Sequence, residues 1–337
     1  MKLQIFDIIG IKSGMDYYLI SFFNLLKKNK INACIKSNFI HENELFFPNI
    51  YKGNLVVRVF KLLYSLVKFW FTIQKKETKS VFLFYGTYID ALFLFLFFLN
   101  KNVFIDIHEL VLLDNKNKFL HKIINFLFRN SKNSIIYHSK RTKETLIEIG
   151  FRGEAIYVPL FRYEVKKDYN LKYIGKEIHD LVSNTKKNFL FFGNIRKSKG
   201  VEELLQVINY INKENIAIDK LNIIVAGADI FNILKNNDVI YNSFTKILLR
   251  QLNDSEMKYL FSKSDIILLP YSNITQSGVL EMAIHFEKPI LTSNLDYFRN
   301  ILNQFPSFGF NTNTTNVKEF TNKIIELSKK SQLPILK

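Results

Sequence analysis

Short apolar runs alternate along the chain with longer segments in which apolar residues recur every three to four positions. The short runs are typical of buried strands, and the 3.6-residue period is typical of helices that cover a sheet. The predicted strands are Leu3–Ile9, Ser80–Tyr85, Val103–Ile107, Ser134–Tyr137, Ala155–Val158, Asn188–Phe192, Asn222–Ala226, Ile247–Leu249, Asp265–Leu269 and Pro289–Thr292. The predicted helices are Tyr17–Asn29, Leu55–Ile73, Lys118–Arg129, Lys140–Ile149, Val201–Asn212, Ser255–Phe261, Val279–Phe286 and Asn316–Lys329. This alternation predicts an α/β fold with parallel sheets.

A polar stretch rich in Lys, Asp and Glu interrupts the pattern at residues 165–187. The chain has 337 residues, which suits two domains of about 150 residues better than one core. We therefore expect one α/β domain at residues 1–165, a linker at 166–187 and a second α/β domain at 188–337.

The amino-acid composition excludes several classes of protein. Apolar residues make up 48% of the chain and charged residues 23%, which excludes a disordered protein. The single cysteine, Cys34, excludes an internal disulfide and fits a reducing cytosol. The N-terminus has no secretion-signal pattern. The longest uncharged apolar run, Ala91–Leu99, is nine residues long, against about 20 for a membrane span. We expect a cytoplasmic protein.

Charge is strongly basic and uneven. Lys and Arg number 47 against 30 Asp and Glu, a formal charge of +17, and residues 1–165 carry +11 of it. Part of this excess reflects a Lys-, Asn- and Ile-rich composition of the kind that a biased genome produces. The pI of about 9.6 alone suggests nucleic-acid binding, but no aromatic–basic motif of a nucleic-acid reader accompanies it, so we expect no nucleic-acid partner.

The first candidate anion site follows a predicted strand that ends at Gly193. A short basic loop with Arg196 and Lys199 leads into a helix that starts near Gly200. The free amides and the dipole of a helix N-terminus favour an anion, and Arg can bind phosphate oxygens bidentately. Taken alone, an ordinary strand–helix turn with solvated basic residues explains the segment equally well.

The second candidate lies where the strand Asp265–Leu269 leads through a polar loop into another helix. Ser277 suits the N-cap, and Gly278 lets a ligand approach the backbone amides of Gly278 and Val279. Alone, Ser277 is best explained as a cap. Both loops lie at the carboxyl ends of strands, where open α/β sheets bind ligands, so together they favour a phosphorylated ligand.

The two segments FFGNIRKSKGVEELL and LLPYSNITQSGVLEMAIHFEKPILTSN resemble the donor-binding domain of GT-B glycosyltransferases, closest to family 4, the glycosyl transferases group 1 type. Residues 10–18, the strand end at His108 and residues 136–140 resemble that family's acceptor domain. The resemblance implies two Rossmann-like domains facing across a cleft, with the acceptor bound by residues 1–165 and a nucleotide sugar by 188–337. It also implies that the last helix packs back on the first domain.

The implied activity is transfer of a sugar, a hexose by preference, from a nucleotide-diphosphate sugar to a saccharide or lipid-linked acceptor in bacterial surface polysaccharide or glycan synthesis. Lys199 falls on the family's diphosphate-contacting lysine. Asn194 stands where the family has an arginine, with Arg196 as the candidate replacement. The nucleobase would lie near Arg250, by position only.

The family's pair of glutamates with seven residues between them is absent, because Ile274 and Met282 occupy those positions. The segment Gln276, Ser277, Gly278 and Val279 stands in its place, and its backbone amides would contact the diphosphate. This departure leaves retention or inversion at the sugar open. A nucleotide-sugar epimerase of the same fold is the alternative, and the few acidic residues near the loops speak against it.

Candidate catalytic residues lie in the first half. A histidine at the position of His108 lines the donor sugar in the resembling family, and a histidine pKa near neutrality suits a general base. Glu109 is a rival base, and a structural role for His108 is as good an interpretation. Gly14 could bring its backbone near the phosphates. Asp16 is either a base or an acidic first-turn residue, and we favour the second.

No Asp-x-Asp triplet and no clustered His/Cys pattern occurs in the sequence, so we expect a metal-independent reaction with no cofactor beyond the donor itself. We assign His138 to a buried strand–helix junction.

Two helices carry a basic stripe. In Leu55–Ile73 the polar side chains fall within a sector of about 80°, and the rest of the circumference is apolar. A second stripe runs along 116–132. Either these helices lie on anionic lipid or they cover a sheet with the polar face in solvent. We favour peripheral association with the inner face of the cell membrane, where a lipid-linked acceptor would be.

Overall fold

The computed structural model describes residues 2–10, 16–42, 44–74, 78–97, 103–108, 118–158, 166–216, 218–229, 232–234, 242–274 and 277–334. The chain divides into two compact units, Met1–Glu164 and Val165–Lys337. No helix in the described part is long and apolar enough to cross a membrane.

The first unit is a parallel six-stranded sheet in the order β2-β1-β3-β4-β5-β6, with helices between the strands. Its strands are β1 (Lys2–Asp7), β2 (Ala33–Ser37), β3 (Thr78–Phe84), β4 (Val103–Ile107), β5 (Ile135–Tyr137) and β6 (Ala155–Tyr157). Its helices are α1 (Asp16–Lys28), α2 (Leu55–Ile73), α3 (Tyr88–Phe97), α4 (Lys118–Asn130) and α5 (Lys140–Ile149).

The second unit is a parallel six-stranded sheet in the order β12-β11-β10-β7-β8-β9. Its strands are β7 (Lys187–Phe192), β8 (Leu221–Ala226), β9 (Thr245–Leu248), β10 (Ile266–Leu269), β11 (Ile290–Ser293) and β12 (Gly309–Thr312). Its helices are α6 (Lys176–Leu181), α7 (Val201–Lys213), α8 (Asp254–Lys263), α9 (Gly278–His285), α10 (Asp296–Gln304) and α11 (Val317–Lys329).

The predicted α/β fold is confirmed, and each predicted strand and helix has its counterpart. Five elements were not predicted: β2, β12, α3, α6 and α10. Three of them show only a weak apolar pattern in the sequence. Strand β2 has the sequence Ala-Cys-Ile-Lys-Ser and β12 has Gly-Phe-Asn-Thr, and neither alternates apolar and polar residues. Helix α3 is apolar nearly all round, so it shows no helical period.

The segment 166–187, which we expected to be a linker, is folded into the second unit. A 3₁₀ turn at Leu171–Tyr173 and helix α6 lie within it. Ile174, Ile178 and Leu181 are buried, because their apolar side chains are spaced to face one side of this short helical segment. The domain boundary therefore lies at residue 165, before the polar stretch rather than after it.

Helix α11 packs on α7 of its own unit. Phe320, Ile324 and Leu327 lie fully buried in the same hydrophobic core as Leu204 and Ile208. Strands β7, β8 and β10 also contribute side chains to that core, and the loops after β7 and β10 carry the candidate site.

Candidate active site

The crevice of the second sheet lies between β7 and β10. These strands are neighbours, but the chain leaves β7 toward β8 on one side and leaves β10 toward β11 on the other. Such a reversal of strand order opens a gap between the loops at the carboxyl edge, where ligands of α/β sheets bind. Both loops that the sequence singled out start here.

The two loops are bonded to each other. The Ser198 carbonyl accepts from the amides of Ser272 at 3.1 Å and Asn273 at 3.4 Å. Gly200, at φ +74°, lies so close to Pro270 that a methyl group on it would overlap the Pro270 carbonyl oxygen. Only glycine combines this backbone angle with this approach, so Gly200 fixes the spacing of the loops.

Lys199 occupies the space between the loops. A Cβ atom on Gly193 would lie 2.9 Å from the Lys199 Nζ and 3.6 Å from the Val279 Cγ2, so these three residues meet at one point. The ammonium also lies 5.9 Å from the centre of the Tyr271 ring. Burial, and second the positive charge of Arg196, lower the pKa of Lys199 to about 8. An anionic ligand would stabilise the charged form of this ammonium, so the position favours anion binding.

The N-terminus of α9 forms the other wall. The Ser277 Oγ accepts from the Leu280 amide at 3.1 Å, as the N-cap prediction requires, and lies 3.1 Å from the Tyr271 hydroxyl oxygen. Burial raises the pKa of Tyr271 to about 12, so the phenol stays protonated near neutral pH. The first amides of a helix have no acceptor within the helix, and here they belong to Gly278 and Val279. The wall therefore presents hydrogen-bond donors.

Of the remaining predicted donor-site residues, Arg196 lies near enough to Lys199 for its charge to lower the pKa of that lysine. Asn194 and Arg196 are half-buried in the loop after β7, and Arg196 is the N-cap residue of the 3₁₀ turn Lys197–Lys199. Gln276 and Gly14 lie outside the described residues.

Arg250 has a structural role, and our expectation that the nucleobase lies near it stays a prediction. Its Nε donates to Glu177 at 2.9 Å, and its two terminal nitrogens donate to Glu177, Glu256 and the Gln251 carbonyl at 2.5 to 3.0 Å. These five bonds use all five guanidinium N–H groups. The pKa of Arg250 is raised by the hydrogen bond to Glu256 first and by that to Glu177 next. Arg250 ties α6 to α8.

The first unit holds a buried polar cluster at the carboxyl ends of β4 and β5. The His138 Nε2 lies 2.6 Å from the Asp106 Oδ1, and the His138 Nδ1 lies 2.7 Å from the Val158 carbonyl. Both ring nitrogens face acceptors, so the arrangement suits an imidazolium. Burial opposes this charge, but the hydrogen bond and charge of Asp106 raise the pKa of His138.

Asp106 is the charged partner of this pair. Burial alone would raise its pKa, but His108 and His138, together with the Tyr18 hydroxyl, hold the pKa below the ordinary aspartate value. The Tyr18 hydroxyl donates to the Asp106 Oδ2 at 2.8 Å, which anchors α1 to the end of β4. The cluster is therefore an ion pair with a phenol donor.

His108 directly follows β4 and is buried among aromatic rings. Its ring lies 5.0 Å from that of His138 and 5.3 Å from that of Tyr85, with interplanar angles of 30° and 28°. The Tyr18 ring meets it edge-on at 4.2 Å. These rings fix the orientation of the imidazole.

Two further buried carboxylates are Asp7, the last residue of β1, and Asp90, in the first turn of α3. Asp7 accepts from the amides of Ile9 and Gly10 and from the Tyr85 hydroxyl at 2.6 to 2.9 Å, and burial raises its pKa to about 6. Asp90 accepts from two amides near the end of β3, and burial raises its pKa to about 7.

Of the other predicted catalytic residues, Asp16 is the first residue of α1 and half-buried, the position that the first-turn interpretation describes. Glu109 lies outside the described residues. The sequence analysis did not single out Asp7, Tyr18, Tyr85 or Asp106. The available signal was an acidic residue inside the apolar runs of β1 and β4, since buried charges need partners.

The cluster also bears on metal binding. Asp106, His108 and His138 each bring one possible ligand atom to within 4.8 Å of the others. In this arrangement the Asp106 Oδ1 and the His138 Nε2 bond directly to each other, so these atoms serve the ion pair. Our expectation of a metal-independent reaction stays a prediction.

Part of the sequence matches a known protein family. The profile of the family "Glycosyl transferases group 1" matches residues 186–330, which contain both loops. No curated protein matches the sequence.

Solved structures match over nearly the whole chain. Sucrose-phosphate synthase from Thermosynechococcus elongatus has a TM-score of 0.68 at 12% identity, over 97% of this chain and 89% of that chain. Alr3699/HepE from Anabaena, in complex with UDP and glucose, has 0.65 at 14%, over 98% and 91%. A putative UDP-N-acetylglucosamine 2-epimerase from Listeria monocytogenes has 0.57 at 13%, over 99% and 92%.

At these identities the likeness concerns the fold. It covers both units, and the family match lies in the second unit, around Gly193, Lys199 and the start of α9. Residues 186–330 therefore form a domain of the glycosyl transferases group 1 family, in a chain that has the two-domain GT-B fold.

Proposed function

We propose that the protein is a glycosyltransferase that moves a sugar from a nucleotide-diphosphate sugar to a saccharide or lipid-linked acceptor. The second unit holds the donor, and the first unit holds the acceptor. The proposal extends to a hexose as the sugar and to a role in bacterial surface glycan synthesis, with the donor as the only small-molecule requirement and no metal.

One observation carries the proposal: Lys199 lies half-buried between the two bonded loops, beside the amide end of α9. The negative charge of a diphosphate bound there would offset the cost of burying the ammonium. Its oxygens would also accept hydrogen bonds from the amides of Gly278 and Val279. The depressed pKa of Lys199 supports this assignment, because it marks a cation without full compensation.

The reaction forms one bond and breaks one. The acceptor hydroxyl oxygen bonds to the anomeric carbon of the sugar, and the bond from that carbon to the diphosphate oxygen breaks. The nucleoside diphosphate leaves with the bonding electron pair, and Lys199 and the α9 amides stabilise its charge. We propose His108 as the base that takes the hydroxyl proton, with Asp106 and His138 as positioning residues.

The decisive test compares Lys199→Ala with Lys197→Ala. Lys197 lies on the same 3₁₀ turn but is exposed and paired with Glu202. We expect Lys199→Ala to lower kcat/KM for the donor about 100-fold, since it removes a charge-assisted contact to the diphosphate. Lys197→Ala should stay within about twofold. Equal effects of the two variants would refute the assignment of Lys199.

Product analysis with a labelled nucleotide sugar tests the reaction itself. Transfer predicts labelled acceptor and free nucleoside diphosphate, and it predicts that consumption of the donor depends on acceptor. If the label instead stays in a nucleotide sugar with changed sugar configuration, without acceptor, the protein is an epimerase and the proposal fails.

A further inference from the structure

Helix α2 is turned with its charged side toward the protein. Its three charged residues, Arg58, Lys61 and Lys68, are all basic. Each donates to main-chain carbonyls of residues 46–52, at 2.8 to 3.3 Å. The Lys68 Nζ also lies 4.2 Å from the centre of the Phe46 ring. The basic stripe therefore bonds within the first unit, with Lys61 and Lys68 half-buried and Arg58 exposed to solvent. Contact of this stripe with lipid stays a prediction.

The apolar side of α2 faces outward. Its large hydrophobic side chains are 40% to 73% exposed over a sector of about 200°. They are Leu55, Val56, Val57, Val59, Phe60, Leu63, Tyr64, Val67 and Phe71. A helix that covers a sheet normally buries its apolar side. Single exposed apolar residues are ordinary, but a contiguous set of this size marks an interaction surface.

Helices α3 and α4 lie on the same face of the sheet as α2. Phe69 of α2 and Phe93 of α3 both pack on Phe82 of β3, with ring centres 5.7 and 5.5 Å away. Phe128 of α4 packs on Phe84 at 5.4 Å. Residues two apart on a strand point to the same face, so the outer sides of all three helices point in the same direction.

The outer sides of α3 and α4 extend this surface. Leu92 and Phe95 of α3 and Phe126 of α4 are exposed. Lys122 and Arg129 are exposed one turn before and after Phe126, on the same side of α4. The outer face of the first unit, defined as the exposed residues of α2, α3 and α4 named here, thus has an apolar centre and a basic edge.

We propose that the outer face docks on an anionic lipid bilayer. Helix α2 lies parallel to the surface with its apolar side among the acyl chains, and the α4 cations contact lipid phosphates. Apolar and aromatic residues on one side of a helix, with cations at the border, are the chemistry of interfacial helices. This inference rests on the proposed function in one respect: a lipid-linked acceptor would lie on the same surface.

Charge favours lipid over a second copy of the chain. Residues 1–165 carry 24 Lys and Arg against 13 Asp and Glu, a formal charge of +11. Two such units repel each other, whereas anionic headgroups attract them. Because the α2 cations point inward, apolar insertion supplies most of the binding. Docking should therefore survive salt that removes a purely electrostatic association.

The chain carries its own probe for docking. Its single tryptophan, Trp70, lies on α2 and is half-buried. We expect its emission to shift to the blue and to be quenched by brominated acyl chains when the protein is mixed with vesicles of phosphatidylcholine and about one third phosphatidylglycerol. Cosedimentation with the same vesicles should persist at about 0.5 M NaCl.

Variants on the outer face test the geometry. The double variant Phe60→Glu, Phe71→Glu should lower vesicle partitioning at least about tenfold, because both side chains are exposed and would carry charge into the acyl layer. Phe305→Glu is the matched control, since Phe305 is similarly exposed but lies in the second unit. Lys122→Glu with Arg129→Glu should reduce the preference for phosphatidylglycerol.

The outcomes separate this inference from the proposed function. Loss of vesicle binding in the Phe60/Phe71 variant with unchanged UDP affinity supports docking by α2. Wild-type protein that does not bind vesicles, an unchanged variant, or a wild-type dimer in sedimentation that the variant dissociates overturns the inference. Vesicle binding without binding of any nucleoside diphosphate would refute only the proposed function.

Discussion

At the scale of single residues, the most informative side chain is Lys199, a cation whose charge depends on pH. Its pKa is lowered to about 8, so the ammonium is present below that pH and is lost above it. We expect the affinity for a nucleoside diphosphate such as UDP to fall as the pH rises through about 8. The bound diphosphate stabilises the ammonium, so binding above this pH should also take up a proton.

Titration calorimetry in buffers of different ionisation enthalpy measures both effects, at about pH 7 and about pH 9. Proton uptake should be near zero at the lower pH and clear at the higher one. Lys197→Ala, which changes the exposed neighbour, should reproduce the wild-type profile. An affinity that stays flat across this range would contradict the role of Lys199.

The ion pair of His138 and Asp106 predicts a pH-dependent stability. The raised pKa of His138 stabilises the fold below pH 6.5, the ordinary histidine value, and this contribution is lost as the pH rises through the raised value. The lowered pKa of Asp106 stabilises above pH 3.8 and is lost as the pH falls through the lowered value. The full contribution therefore lies between pH 3.8 and 6.5.

We expect His138→Gln to lower the free energy of unfolding by about 3 kcal/mol in that window and by less at alkaline pH, because it leaves Asp106 buried with weaker compensation. Urea unfolding at several pH values measures the difference from wild type. His121→Gln, a half-buried histidine on α4, is the control. A difference that does not vary with pH would contradict the ion pair.

Local residue identity located the two loops of the candidate site. The pattern around Gly193, Lys199 and Ser277 was sufficient to find the loops, because anion binding at helix starts depends on local backbone and local charge. The ion pairs of Arg250 were missed, since nothing local indicates that Glu177, 73 residues away, would bond to its guanidinium. Asp106 was missed for the same reason: its partner His138 follows a different strand, β5.

At the scale of elements, the contact between the loops after β7 and β10 depends on Gly200. Gly200→Ala adds a methyl group onto the Pro270 carbonyl at φ +74°. Gly150→Ala is a matched control, because Gly150 has φ +79° but its nearest neighbour, the Arg129 side chain, lies 3.7 Å from the added atom. The two variants share the backbone strain and differ in the overlap.

Gly150→Ala should cost about 1 kcal/mol of unfolding free energy, the penalty of the left-handed conformation. Gly200→Ala should cost clearly more and should also weaken UDP binding, since the loops must separate. Chemical unfolding and calorimetry measure the two effects. If both variants lose the same stability and keep UDP affinity, the loop contact does not shape the site.

Helix α2 marks a limit of pattern analysis at this scale. Its period predicted the helix bounds and the two sides correctly. A period identifies two sides of a helix but not what each side meets. The carbonyls of residues 46–52 decide this, because they accept hydrogen bonds from the cations and draw the basic side inward.

At the scale of the whole molecule, the boundary between the units predicts which fragments fold. The segment before β7 contributes Ile174, Ile178 and Leu181 to the second unit, and its Glu177 binds Arg250. A fragment of residues 188–337 should therefore be less stable than one of 165–337 by about 3 kcal/mol or more. Thermal unfolding of both fragments measures this, and equal melting temperatures would contradict the assignment of this segment.

Alternating apolar runs and helical periods in the sequence determined two parallel α/β sheets, and local glycine and serine positions determined where their loops could bind an anion. These features depend on neighbours within a few residues, so the sequence alone carries them. The tertiary structure decided which charged residues are partners, which side of α2 faces outward and where the second unit begins. Those outcomes depend on groups that are distant along the chain and meet only after folding, where burial sets the strength of their interactions.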